Sequence, residues 1–448
     1  MENSSTIKKL GVLGLTAVVV SSMVGSGVYS LPQNMAAAAG VDAMIIAWII
    51  TGLGMFFIAD TFRLLSSLKP NARAGFFSYA REGFGKRIGF GVFWGYWLCQ
   101  VFANIGFSVI IMETLNYFFP HYFEGGNNLH AFILSSMLIW FFTALVWRGI
   151  QTAALVNLIG TIVKIIPVFI FLAIALFVFH WHKFDLRIFG KIPIGQWNWG
   201  DMLSQVKNTM LVTLWSFIGI ETAVAITHRA KSHKDIARAT LFSFVLCLVI
   251  YSMISLLPFG ILPREEIVTF PNPSTAGILA AIIGRPGAWL MNIGLIISTL
   301  FAFLSWTIIC VEIPFIAARE GSFPAQFAAE NKHGAPKVSI ITTGVVMQAA
   351  LLLAFFSAHA WNTMISITGV MLLPVYFITA LYMFKIRNQK QELVSKTRLT
   401  ITAVLALVYS VWLIYAANIT YLLMASFFFA LGIPVFLWAR RQKKIQNV

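Results

Sequence analysis

The chain has 448 residues, of which 59% are hydrophobic and only 11% charged, with a mean hydropathy of +0.82. Soluble domains carry about 25% charged residues, so a large water-soluble enzyme is excluded and a polytopic membrane protein is indicated. The net charge of +16 does not point to nucleic acid, because Lys and Arg gather in short connections between apolar runs, as the positive-inside rule describes.

Crossing about 30 Å of hydrocarbon takes roughly 20 apolar residues as a helix. Runs of that kind predict twelve spans, at 10–34, 41–66, 88–119, 130–148, 152–181, 203–228, 238–261, 286–318, 338–357, 361–386, 398–416 and 418–439. The first run has no small-residue cleavage site after it and reads as a retained helix, not a removed leader. Placing both ends in the cytoplasm puts 25 of the 32 Lys and Arg on the inner side and 6 on the outer side, with Lys164 inside a span. That asymmetry predicts an even number of spans and cytoplasmic termini.

The first span is interrupted by Val24-Gly25-Ser26-Gly27-Val28. Glycine weakens a helix, and lipid cannot satisfy the backbone groups that unwinding frees. Such a break is tolerated where it lines a cavity or packs inside protein. As a site, Gly25, Ser26 and Gly27 would offer N–H groups and the positive end of a half-helix to a carboxylate. As packing, they would form a small-residue contact between helices.

In the second span, Asp60 has Arg63 one turn on and reads as a structural pair. The third span carries the aromatics Tyr96 and Trp97, then Asn104, whose amide must find partners inside the bundle. Glu113 falls close to its outer end. The fourth and fifth spans are joined by a hairpin turn at Arg148-Gly149-Ile150-Gln151. Lys164, in the fifth span, is either a functional buried ammonium or a lysine that snorkels to the interface.

The sixth span carries the second interruption, Trp215-Ser216-Phe217-Ile218-Gly219-Ile220-Glu221. A carboxylate at mid-membrane marks a functional site by default, and Glu221 is a candidate for pH response. Trp306 in the eighth span and Trp215 are aromatic faces able to hold a cation; Glu312 is a lesser candidate for an inner gate. Broken spans in corresponding positions of two halves point to a transporter site between them. The predicted layout is a single transporter domain over 1–448. It comprises a first five-helix repeat over 10–181, an inverted second repeat over 203–386, and two extra helices over 398–439. The connections 182–202, with Trp197 and Trp199, and 262–285, rich in proline, are candidates to cover an outer vestibule.

Catalytic signatures are not found. No Gly-Lys-Ser/Thr phosphate loop occurs, no His/Cys/Asp grouping has metal-ligand spacing, and no cofactor is expected. Cys99, Cys247 and Cys310 lie in apolar runs and read as small buried residues. His121, His130, His180 and His182 flank spans on the outer side.

Met23-Val24-Gly25-Ser26-Gly27-Val28 with Leu31-Pro32, the Trp215–Glu221 stretch, and Ala318-Arg319-Glu320-Gly321-Ser322-Phe323-Pro324 carry a resemblance over essentially the whole chain. The sequence resembles the amino acid/polyamine/organocation superfamily, and within it the basic amino acid/polyamine antiporters of arginine/ornithine or arginine/agmatine type. The resemblance implies an all-α membrane fold of about twelve transmembrane helices with LeuT-like inverted repeats, working by alternating access in a bacterial cytoplasmic membrane. It implies that Gly25, Ser26 and Gly27 hold a substrate carboxylate and that the carbonyls of Met23, Trp215 and Ile218 receive its α-ammonium. Trp306 would stack on a guanidinium whose end Asn104 hydrogen-bonds. Tyr96 and Glu221 would act in gating and pH response, and Lys164 would stand where sodium-coupled relatives hold their ion. Ser22, where the arginine/agmatine type has Asn, and Lys164 depart from that type, and Ser366 to Pro374 match poorly.

The expected activity is exchange of a cationic amino acid, arginine first, for its decarboxylated or deiminated product. Other expected outcomes are lysine/cadaverine or putrescine/ornithine exchange, proton-coupled import, and, from a different class, a non-transporting receptor. The expected partners are cationic amino acids and polyamine-type molecules, membrane lipid and a second copy of the chain, with no nucleic acid.

Overall fold

The computed structural model of the chain describes residues 11–69, 72, 75–149, 164–184, 198–221, 233–389 and 394–445. Its first span is divided. Helix α1 (Val12–Met23) and helix α2 (Gly27–Ala38) are separated by Val24, Gly25 and Ser26, and Val24 leaves the helix with ψ 96°. The break falls where glycine makes continued helix least favourable.

Helix α3 (Val41–Leu68) follows, then a short helix α4 (Phe76–Phe84) that hydropathy does not reveal. Gly85, at φ +87°, turns the chain into α5 (Lys86–Leu115), a conformation glycine adopts without a Cβ penalty. Helix α6 (Leu129–Trp147) begins at Asn128, whose Oδ1 accepts the Ala131 N–H at 3.0 Å, the usual N-cap arrangement. Helix α7 (Ile166–Phe177) is the described part of the fifth predicted span; 152–163 lie outside the described residues, as do 185–197 with Trp197.

Helix α8 (Trp199–Phe217) is capped by Asn198 and ends at the second predicted interruption; 222–232 lie outside the described residues. After α9 (His233–Leu256) comes the proline-rich connection, a candidate cover in the sequence. It folds into α10 (Arg264–Thr269) and α11 (Ser274–Ile283). The chain ends its course through α12 (Arg285–Arg319), α13 (Lys337–Phe355), α14 (Ala360–Ile386), α15 (Lys396–Ala416) and α16 (Ile419–Ile445).

Among the described residues nine helices are long and apolar enough to cross a membrane and no strand occurs. The chain is an all-α, multi-pass membrane protein. The pair α1/α2, with α7 and α8, accounts for the described parts of the remaining predicted spans. Helix α5 is the core: 89% of its most apolar window is buried, against 11% for α16, which lies at the periphery. Helices α12 and α14 pack along α5; α1 packs on α9, α2 on α8, α9 and α11, and α3 on α8 and α15. Both breaks are thereby enclosed by protein, where freed backbone groups are tolerated.

Helix α11 covers α2 through polar contacts. The Ser274 hydroxyl donates to the Tyr29 carbonyl at 3.3 Å and accepts the Gln33 N–H at 3.2 Å. These bonds flank Pro32, which lacks an N–H and interrupts the helical ladder of α2. In the segment leading to α11, Arg264 Nε donates to the Ala36 carbonyl at 2.8 Å.

Candidate functional site

The two breaks meet. A cavity between them is lined by Met23, Gly25, Ser26, Gly27 and Val28 from the first and by Trp215, Ser216 and Ile218 from the second, with Ser22, Phe107, Tyr251 and Trp306 completing it. The space swept by the centre of a water molecule is about 20 Å³, room for about one water and too little for an amino acid. The site is closed around its lining.

The first turn of α2 starts at this cavity. Its leading N–H groups have no partner within their own helix, and the macrodipole adds partial positive charge there. Ser26 precedes Gly27 without capping the helix, and its wholly buried hydroxyl has no hydrogen-bond partner among the described residues. A buried polar group left in that state is unfavourable by roughly 1–3 kcal/mol, so the cradle suits an incoming acceptor such as a carboxylate.

The second break is held by bonds on both sides of one peptide. Gly219 sits at φ +112°. Its N–H donates to Glu221 Oε2 at 3.1 Å, and its carbonyl accepts the Ser22 hydroxyl at 3.0 Å. Glu221 Oε1 in turn accepts the Tyr96 hydroxyl at 3.2 Å. A chain of hydrogen bonds therefore runs from α5, through Glu221 and the unwound backbone after α8, to the last turn of α1.

Aromatic rings form the cavity wall. Trp215 and Trp306 lie 6.3 Å apart at 42°, and Phe107 meets Trp306 edge-on at 5.4 Å. Trp361 of α14 presses edge-on against Trp215 at 6.1 Å. Among the described residues no charged side chain lines the cavity. The low local dielectric strengthens whatever polar contact forms there, and the ring faces are the groups able to attract a cation.

The structure thus brings together seven of the predicted residues: Met23, Gly25, Ser26, Gly27, Trp215, Ile218 and Trp306. Tyr96 and Glu221 stand behind the lining and bond to each other. Asn104 is wholly buried in α5, outside the lining, and neither its amide nitrogen nor its oxygen has a partner among the described residues. Lys164 is also outside the lining and 3% exposed; its backbone carbonyl accepts the Tyr29 hydroxyl of α2 at 3.2 Å. Asp60 is taken up as expected, paired with Arg63 and accepting the Thr402 hydroxyl at 3.3 Å. Sequence reasoning missed Phe107 and Tyr251. With 40 Phe and 11 Tyr in the chain, nothing local separates them from packing aromatics.

The comparisons with known proteins agree with this architecture. A family model described as amino acid permease matches residues 10–439. The chain is 51% identical over 442 residues to a protein from Chlamydia pneumoniae named arginine/agmatine antiporter, covering 98% of this chain and 91% of that one. Proteins of the same name from Chlamydia abortus and Chlamydia felis are each 49% identical, covering 98% of this chain and 91% and 92% of their own length.

Proposed function

The chain belongs to the amino acid permease family, and from that premise we propose that it is a secondary antiporter exchanging L-arginine for agmatine across the cytoplasmic membrane of a bacterium. The observation that carries this reading is the cavity shared by the two backbone breaks and walled by Trp215 and Trp306. It offers anion-binding backbone and cation-attracting rings within one closed space. The printed names of the relatives supply the substrate pair.

In this reading the α-carboxylate docks on the N–H groups and hydroxyl of Gly25, Ser26 and Gly27, and the α-ammonium on the carbonyls of Met23, Trp215 and Ile218. The guanidinium stacks on Trp306, and its far end reaches Asn104, whose unpartnered amide supports that role. Loading requires the aromatic wall to swing, since the closed cavity is smaller than the substrate. Tyr96 and Glu221 gate that motion by holding Gly219 against α1. Lys164 stands behind α2 in place of a coupling ion.

The two breaks open two inverted repeats, 10–181 and 203–386, which rock against each other in alternating access; 398–439 lie outside the repeat. Both termini are cytoplasmic, as the distribution of basic residues indicates.

The test is counterflow into proteoliposomes with labelled arginine outside and agmatine, ornithine, citrulline, lysine or putrescine inside. Uptake is expected to be fastest with agmatine inside. Equal uptake into vesicles with no internal counter-substrate rules out obligate exchange; faster uptake with ornithine replaces agmatine as the product.

A further inference from the structure

A second cavity lies away from the transport site, near the ends of α3, α9 and α15. It measures about 260 Å³ and is lined by Phe56, Ala59, Asp60 and Arg63 of α3, by Arg238, Thr240, Leu241 and Phe244 of α9, and by Arg398 of α15. Three guanidiniums from three helices converge there. Among the described residues Asp60 is the one carboxylate in the lining, and it organises the cluster. Asp60 pairs with Arg63, whose Nε donates to it at 2.7 Å, and Arg398 Nη2 stands 3.8 Å away. The Thr402 hydroxyl bonds its other oxygen at 3.3 Å. Three positive charges against one negative leave the cavity cationic.

The rest of the lining is mostly apolar and continues outward. Phe56 and Leu241 line the cavity and are 38% and 49% exposed. Beyond them α9 presents Phe242, Val245 and Val249, also exposed. Exposed apolar side chains on membrane-spanning helices meet acyl chains, and arginines at the ends of those helices sit at the depth of head groups. The cavity therefore combines a cationic cluster with apolar lining that is exposed toward lipid.

We propose that this cavity seats an anionic membrane phospholipid. Its phosphate lies among Arg63, Arg238 and Arg398, where guanidinium forks match phosphate oxygens. Its acyl chains run along Phe56, Leu241 and Phe244. Asp60 holds Arg63 and Arg398 converged before the lipid arrives. The lipid then bridges α3, α9 and α15, and α9 is the helix on which both α1 and α2 pack.

The test titrates the purified full chain in zwitterionic micelles with a phosphatidylglycerol and counts bound lipid by native mass spectrometry, with the thermal midpoint as a second readout. Parallel arms use a phosphatidylcholine of the same chain length, glycerol 3-phosphate and inorganic phosphate. Phosphatidylglycerol is expected to bind in preference to phosphatidylcholine and to raise the midpoint. Arg238→Gln and Arg398→Gln leave the Arg63–Asp60 pair intact. Each should weaken binding about fivefold, and the two together about thirtyfold. Arg440→Gln removes one charge from a different groove and should bind as the parent does. Equal binding of the two lipids, or an equal loss in Arg440→Gln and Arg238→Gln, overturns the proposal. Displacement of phosphatidylglycerol by inorganic phosphate or glycerol 3-phosphate overturns it too, in favour of a soluble anion. If the double variant does not fold, the two single variants decide.

Discussion

The indole of Trp215 lies directly over Gly27: a methyl group built on that glycine would come within 2.4 Å of Nε1 and 2.6 Å of Cδ1. The first break thus has glycine because the ring that walls the cavity has no room for anything larger. Gly25, two residues earlier, is different, since its added methyl would meet only Phe107, at 3.9 Å.

Gly27→Ala is therefore expected to destabilise the fold by about 1–3 kcal/mol, the usual range for overpacking, and to weaken arginine binding as Trp215 is displaced. Gly25→Ala should leave the thermal midpoint close to the parent value. Equal midpoints for the two variants would show that Trp215 relaxes freely.

Gly219→Ala combines two penalties. The backbone at φ +112° strains any Cβ, and that Cβ would lie 2.7 Å from the Ser22 carbonyl oxygen. A residue in such a region is disfavoured by about 1–3 kcal/mol, and the neighbour here is backbone that cannot rotate away. Thermal unfolding should show a loss at least as large as that of Gly27→Ala; a stable, fully active variant would contradict the geometry.

Trp306→Leu removes an aromatic face while keeping the position apolar. A cation–π contact is worth about 0.5–2 kcal/mol, so arginine affinity should fall about two- to thirtyfold, with Trp306→Phe falling less. Exchange kinetics of Trp306→Leu that match the parent would remove the guanidinium from this ring.

Glu221→Gln and Tyr96→Phe separate gating from binding. Neither residue lines the cavity, yet Glu221 links Tyr96 to the Gly219 N–H. Each variant should slow exchange about two- to tenfold while changing equilibrium arginine affinity less than about threefold, because Tyr96→Phe removes the hydroxyl that bonds Glu221 and Glu221→Gln weakens the acceptor of the Gly219 N–H, each a loss of about 0.5–1.5 kcal/mol. A drop in affinity with an unchanged maximal rate would instead put these groups on the substrate.

At the end of α3, outside the spanning segment, Lys69 hydrogen-bonds Glu82 of α4 and holds its carboxyl below the usual carboxylate range. A depressed acid contributes stability above its unfolded pKa and loses it as pH falls through the folded value. Hydrogen exchange in α4 should therefore begin to loosen as pH falls into the ordinary carboxylate range, where the unfolded chain takes up the proton, and finish loosening below it, at the folded value. In Lys69→Met, where the folded and unfolded values converge, that pH-dependent loosening should shrink. The pair is partly exposed, so the global midpoint should move little.

Hydropathy and glycine content alone located the spans, the break at Gly25–Gly27 and the break at Gly219. These are local properties: an apolar run of sufficient length has one stable use in lipid, and glycine marks where a helix yields most easily. Trp215 is marked by standing in the second interruption, whereas Trp306, one of 14 tryptophans, is singled out by the family resemblance and not by any local property. Partner choice is not local. Which hydroxyl ties Gly219, that Phe107 and Tyr251 join the wall, and that Asn104 sits outside it were decided by packing of helices distant in the chain. So was the folding of the 262–285 connection into α10 and α11 over α2, which proline content alone does not specify. Ser22 and Gly219, separated by 197 positions, meet only because α1 and the end of α8 are pressed together inside the bundle. No periodicity along the chain encodes that distance.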